Sequence, residues 1–297
     1  MKQLLSKMPP EKKGIAMTAL SAVIFGLIPS LCEMTYRLGN DPITLSFFKS
    51  TFTVPFCGIA MLRNGVSFRI SMQQMIRLAL AAIFSNVLTT ILLFSSYTII
   101  NASTATAIHF MYPLIVALIC RFSYHEKITR SQAVSLFIAA VGIMFFANLH
   151  DMQKLAGIIF ALLSGITYAI YLVIIDKMKL SSINGYKLAF YLSLDAAVAF
   201  LGMNWFTGNI VFLQTVESNA VMVIISLADS LLALYLLKEG IKILGSKKAS
   251  ILSMLEPLSA MLFGYLLNHQ AVSRKEIIGS AIVILSVILM GRETQPS

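Results

Sequence analysis

Five ionisable side chains stand inside long apolar runs of this chain: Lys49, His109, Asp195, Asp229 and Glu256. A charge at the centre of a membrane helix costs about 2.5–3.5 kcal/mol on insertion scales, so such groups face a protein interior and mark substrate or ion paths. One lysine against three carboxylates leaves two negative charges in excess while His109 is neutral. Protons, a cationic ligand or carboxyls held neutral must balance that excess. Glu256 precedes Pro257, whose missing N–H opens the helix ladder, so its carboxylate and freed backbone carbonyls can face a cavity together. Its bland alternative is a neutral carboxyl bonded to a backbone carbonyl. His109, Tyr112 and Pro113 fall at i, i+3 and i+4 and share one side of a helix. His109 can carry a proton or hydrogen-bond a substrate, or simply join two helices; Tyr112, beside a helix break, lines a pocket if its hydroxyl finds a partner there. Lys49 lies too deep to snorkel to the outer surface. It either binds a substrate carboxylate or forms an ion pair with Asp195 or Asp229, and those two aspartates are either proton-relay positions or structural partners. Phe25, Tyr168 and Tyr171 are aromatic walls for a central cavity or ordinary helix packing.

The surroundings of these groups are membrane-like. The chain is 58% hydrophobic and 12% charged, against about 25% charged in soluble domains. Ten stretches are long enough to cross about 30 Å of hydrocarbon as helices: 14–33, 42–62, 76–98, 102–121, 131–148, 156–175, 185–204, 220–238, 249–268 and 277–291. They lack the alternating period of barrel strands, so the expected class is an all-α polytopic membrane protein. The first span exceeds a signal-peptide core and is expected to stay as a membrane anchor. With the N-terminus in the cytoplasm, 18 of the 23 Lys and Arg fall on inside segments and four on outside ones, with Lys49 left in the bilayer. Both termini are therefore expected inside, in a cell (inner) membrane. This bias accounts for the net charge of +10 without a nucleic-acid partner.

The chain repeats itself. Met111-Tyr-Pro-Leu-Ile-Val-Ala, running on to His125-Glu126 and Arg130, returns 144 positions later as Leu255-Glu-Pro-Leu-Ser-Ala-Met, running on to His269-Gln270 and Arg274. Gly14 to Ser21 likewise parallels Gly157 to Ser164 at an offset of 143. A period of this kind divides the chain into residues 1–148 and 149–297, five spans each. Five is odd, so the second half enters the membrane from the opposite side. Inverted repeats of this sort occur in secondary transporters, with substrate bound near the midplane at the repeat interface. Phe25 and Tyr168 are then equivalents on opposite sides of the cavity, and Glu33 and Asp176 end equivalent spans on opposite faces, as gate residues or as helix ends.

Pro113 and Pro257 in the fourth span of each half, the polar turn at His125-Glu126, the Glu256-Pro257 pair and Gly264 together resemble the EamA-type domain of the drug/metabolite transporter superfamily, over nearly the whole chain. Two positions depart from that pattern: Tyr112 replaces the Glu before the first-half proline, and Gln270 replaces the Glu closing the second-half repeat. The resemblance implies a ten-helix exporter or exchanger of amino acids or other small metabolites.

The expected function is a secondary transporter for a small-molecule substrate, an amino acid or related and cationic compound, working in membrane lipid by export or exchange and open to proton coupling. A broad cationic drug exporter is the nearest alternative. An intramembrane enzyme is the alternative of another class, since Asp195 and Asp229 could pair, although neither lies in a Gly-x-Gly-Asp context. No phosphate loop supports ATP hydrolysis. Cys32, Cys57 and Cys120 read as buried thiols, and neither cofactor nor metal is expected. The Asn101 sequon sits in a short outer turn.

Overall fold

The structure is a computed structural model that describes residues 9–100, 102–145 and 154–292. Lys2, Lys7, the Asn101 sequon and the last three residues of the expected fifth span lie outside the described residues. Among the described residues every regular element is helical. In the first half these are α1 (Pro10–Phe25), α2 (Ile28–Arg37), α3 (Pro42–Arg63), α4 (Met72–Ala82), α5 (Thr90–Tyr97), α6 (Ala102–His109), α7 (Tyr112–Ser123) and α8 (Arg130–Met144). In the second half they are α9 (Leu155–Lys177), α10 (Gly185–Thr207), α11 (Val216–Ile225), α12 (Leu234–Leu252), α13 (Glu256–Asn268) and α14 (Arg274–Arg292). Two π-helical turns, Ile83–Thr89 and Ser226–Ala233, join α4 to α5 and α11 to α12.

Local chemistry sets the ends. Asp41 Oδ1 caps α3 by accepting from the N–H groups of Ile43 and Thr44 at 2.9 and 3.0 Å, and Pro42 fills the first helical position, where no N–H is needed. Ser71 with Gln74, and Thr129 with Gln132, form reciprocal capping boxes on α4 and α8. The repeated His125-Glu126 and His269-Gln270 pairs are helix stops. Both histidines have φ 53°, and the following N–H groups donate back to Cys120 and Gly264 carbonyls at 3.1 Å each. Such left-handed closure satisfies the last carbonyls of a helix.

Among the described residues, seven helical stretches are long and apolar enough to cross a membrane by length and composition, as a multi-pass membrane protein requires. The longest, Val216–Asn268, has 53 residues and would extend about 80 Å if straight, more than twice the hydrocarbon thickness. It breaks at Gly245, whose φ of 78° and ψ of 163° are not helical. The outer surface is apolar: Phe122, Phe137, Trp205 and Leu213 are exposed, while Ser21, Ser50, Thr53, Ser164 and Ser193 are buried. That inversion of the soluble pattern fits hydrocarbon outside and polar contacts within.

Packing follows the repeat. α1 lies along α12 and the second π turn, and α9 lies along α5 and the first π turn. α3 packs on α10, and α8 on α14. Two close approaches occur where these helices meet the proline-associated breaks. A methyl group on Gly26 would sit 2.4 Å from Ser259 Cβ and 2.8 Å from the Glu256 carbonyl oxygen; one on Gly165 would sit 2.7 Å from the His109 carbonyl oxygen. Gly202 has no atom within 4 Å of that position. Gly165→Ala is therefore expected to lower stability by about 1–3 kcal/mol through overpacking, whereas Gly202→Ala leaves it unchanged or higher. Thermal midpoints of the two purified variants check this, and equal midpoints would count against the close-approach account.

Candidate functional site

A cavity lies beside the two helix breaks and the two π turns. Seven residues singled out from sequence line it together: Phe25, Lys49, His109, Tyr168, Tyr171, Asp229 and Glu256. The breaks come from the prolines. Pro113 and Pro257 each stand in the first turn of a new helix, after Phe110-Met111 in one case and after the 3₁₀ turn Ser253–Leu255 in the other. A proline nitrogen has no hydrogen to donate to a carbonyl of the preceding turn, so the chain restarts there.

Lys49 chooses Asp229. Its Nζ lies 2.8 Å from Asp229 Oδ2 and 5.8 Å from the centre of the Phe94 ring. Ser230 Oγ donates to the same carboxylate oxygen at 3.1 Å. The side chains are 4% and 17% exposed, so the pair is largely desolvated and its two charges cancel locally. Asp195, the other aspartate considered as a partner, stands half-buried on α10 outside the cavity.

His109 ends α6 with a defined hydrogen-bond direction. Its Nδ1 lies 2.8 Å from Ser164 Oγ, and that hydroxyl donates its one proton to the Ala161 carbonyl at 2.6 Å. Nδ1 must therefore carry the hydrogen, which leaves Nε2 as an acceptor in the neutral ring. Tyr112 does not line the cavity. It is fully buried, behind Tyr168, whose ring meets it edge-on at 4.8 Å, so it supports a wall rather than forming one.

Glu256 stands at the first residue of α13, partly open to the cavity. Among the described residues it makes no ion pair or hydrogen bond, because the nearby ammonium of Lys49 is committed to Asp229. Its carboxylate is thus the site's uncompensated acceptor. Sequence reasoning passed over Asn86, Thr89 and Phe94, which also line the cavity. A signal existed for Asn86: it is the repeat equivalent of Asp229 at the offset of 143.

Outside the spans, one end of the bundle is tied by charges. Glu126 is bound by Lys177 and by Lys247, the latter at 2.6 Å. Asp176 takes Lys177 at 3.0 Å and Ser246 Oγ at 2.8 Å. Burial pushes the Glu126 carboxyl up, but the two ammonium groups outweigh it and hold it below the usual glutamate range. At the other end, Glu33 accepts from Arg37 at 2.7 Å, Asn268 at 2.6 Å and Gln270 at 2.7 Å. Glu33 and Asp176, equivalent in the repeat, each anchor a cluster, and the one at Asp176 contains two lysines.

Comparison with known proteins gives concordant results. A model described as the EamA-like transporter family matches residues 12–148 and 155–292. A protein of Archaeoglobus fulgidus described as an uncharacterized transporter is 24% identical over 285 residues, 94% of this chain and 97% of its own. A crystal structure of a protein 14% identical superposes with a TM-score of 0.77 over 95% of this chain and 99% of the other, a likeness of fold alone.

Two outcomes follow from this geometry. Lys49→Ala leaves Asp229 buried without its cation and is expected to cost about 3–5 kcal/mol. Adding Asp229→Asn in the same protein is expected to recover most of that loss, and thermal midpoints of single and double variants measure it. For Glu126 the lowered value means that its stabilisation is fully present above the ordinary glutamate range and disappears as pH falls through the lowered value. The stability gap between wild type and Glu126→Gln is expected to close on acidification; a gap that widens instead would contradict the pairing.

Proposed function

Because the chain belongs to the EamA-like transporter family, we propose that it is a secondary transporter that moves a small cationic or zwitterionic metabolite, an amino acid or a related compound, through the cavity by alternating access. The observation that carries this reading is Glu256: a carboxylate at a helix break, open to a cavity in an apolar bundle and lacking a cation of its own. A charge so placed needs a proton or a ligand cation to neutralise it. Competition between the two couples substrate movement to proton movement, in export or exchange.

In this reading the chain crosses the cytoplasmic membrane ten times as two inverted five-span halves, with both termini inside. Lys49, Phe94 and Tyr97 then lie toward the outer face, and the Glu126, Lys177 and Lys247 cluster lies at the cytoplasmic end. His109 supplies an acceptor at Nε2, and Phe25, Tyr168 and Tyr171 supply apolar walls. A broad cationic drug exporter is the second reading, favoured by the same aromatic and acidic lining. The intramembrane enzyme loses its main support, since Asp229 is paired with Lys49 and Asp195 lies outside the cavity.

Glu256→Gln tests the proposal. In proteoliposomes with an imposed pH gradient, flux of a transported amino acid or amine is expected to fall at least tenfold, with insertion and folding unchanged. Undiminished gradient-driven flux would remove Glu256 from the coupling path.

A further inference from the structure

The cavity's polar side chains can be sorted by whether their hydrogens are already used. Ser85, Thr89 and Thr90 donate their hydroxyl protons to the carbonyls of Ala81, Phe84 and Ser85. Lys49 is held by Asp229, and His109 Nδ1 by Ser164. Asn86 differs: its side-chain nitrogen is buried without a hydrogen-bond partner among the described residues, although the residue is only 8% exposed and lines the cavity. A buried amide donor left unpaired is a cost that native structures normally avoid, and it needs a reason.

Its position in the repeat supplies one. Asn86 and Asp229 are equivalent residues on the two π turns, and π turns recur at functional sites. Asp229 is neutralised by Lys49, whose own equivalent in the second half is the fully buried Leu192. The first-half turn therefore has neither the charge nor the resident partner of its mate. One π turn is internally satisfied, and the other carries an unpaired amide nitrogen in the wall of the same cavity that holds the free carboxylate of Glu256.

We propose that Asn86 is a specificity-determining residue: its carboxamide donates a hydrogen bond to a carboxylate or carbonyl oxygen of the ligand whose cationic group is taken by Glu256. This rests on the transport reading and adds that the ligand carries a cation and an acceptor on one small framework. A simple amine satisfies Glu256 but leaves Asn86 unpaired, so discrimination between the two ligand types resides at residue 86.

The test uses matched probes built on glycine, leucine and phenylalanine, each as the amino acid, its amide and the decarboxylated amine. Affinities are measured by calorimetric titration of the purified full-length protein, and the same compounds are followed in proteoliposome flux. In the wild type, at least one series is expected to bind its acceptor-bearing members at least tenfold more tightly than the amine. Asn86→Leu is expected to level that series while keeping amine affinity within about twofold. Asn86→Asp, which conserves volume, removes the donor and adds a carboxylate, is expected to reverse the order in favour of the amine. Equal binding of amine and amino acid by the wild type overturns the proposal, as does discrimination that survives in both variants. If the amines bind and Glu256→Gln abolishes that binding without any acceptor preference, the role of Asn86 falls and the transport reading stands. Absence of both binding and flux across all three series overturns both.

Discussion

The arrangement depends on two glycines meeting two broken helices. At Gly26 and at Gly165 there is no room for a side chain, because a carbonyl oxygen of the opposing break, that of Glu256 or of His109, occupies the space. A helix interrupted at a proline loses its regular hydrogen bonds at a depth where water is scarce. Close approach by a glycine-bearing helix encloses that irregular backbone in protein. The first long helix of each half performs this service for the other half, so neither half is complete alone.

The cavity is a consequence of the same breaks. The restart of α13 brings Glu256 to the head of a new helix, and the end of α6 brings His109 to Ser164, so the two groups border one space from opposite halves. The π turns contribute from a second direction. An extra residue per turn moves Asn86 and Asp229 out of the ordinary register and onto the cavity wall. Elsewhere serines and threonines bond to carbonyls of their own or neighbouring helices, as Ser226 does to Met222 and Lys49. Polar groups outside the cavity largely serve packing in this way.

Much of this was legible in the residues because the chain carries its own comparison. The offset of 143–144 pairs Phe25 with Tyr168 and places Glu256 beside a break, and membrane energetics directs buried charges inward. What was not legible required the third dimension. Composition cannot tell which of two aspartates Lys49 takes; Asp229 wins because its π turn faces α3 while Asp195 lies outside the cavity. The helical spacing of His109 and Tyr112 gives the correct side but not the depth, since Tyr168 covers Tyr112. The π turns leave no trace in hydropathy, so Asn86 passed as an unremarked amide. The repeated His125 and His269 carry a conformation rather than a reaction, a backbone role that titratable side chains readily obscure.

The ion pair between Lys49 and Asp229 exists in only one of the two related halves, where Leu192 and Asn86 occupy the corresponding places in the other. Duplication of a sequence makes two shapes interchangeable in principle and, with identical halves, equally populated. One unduplicated ion pair removes that degeneracy: a rearrangement that trades the environments of the two halves begins and ends at different free energies. In the proposed transport cycle the two end states therefore differ in free energy, and the pair of Lys49 with Asp229 is one source of that difference.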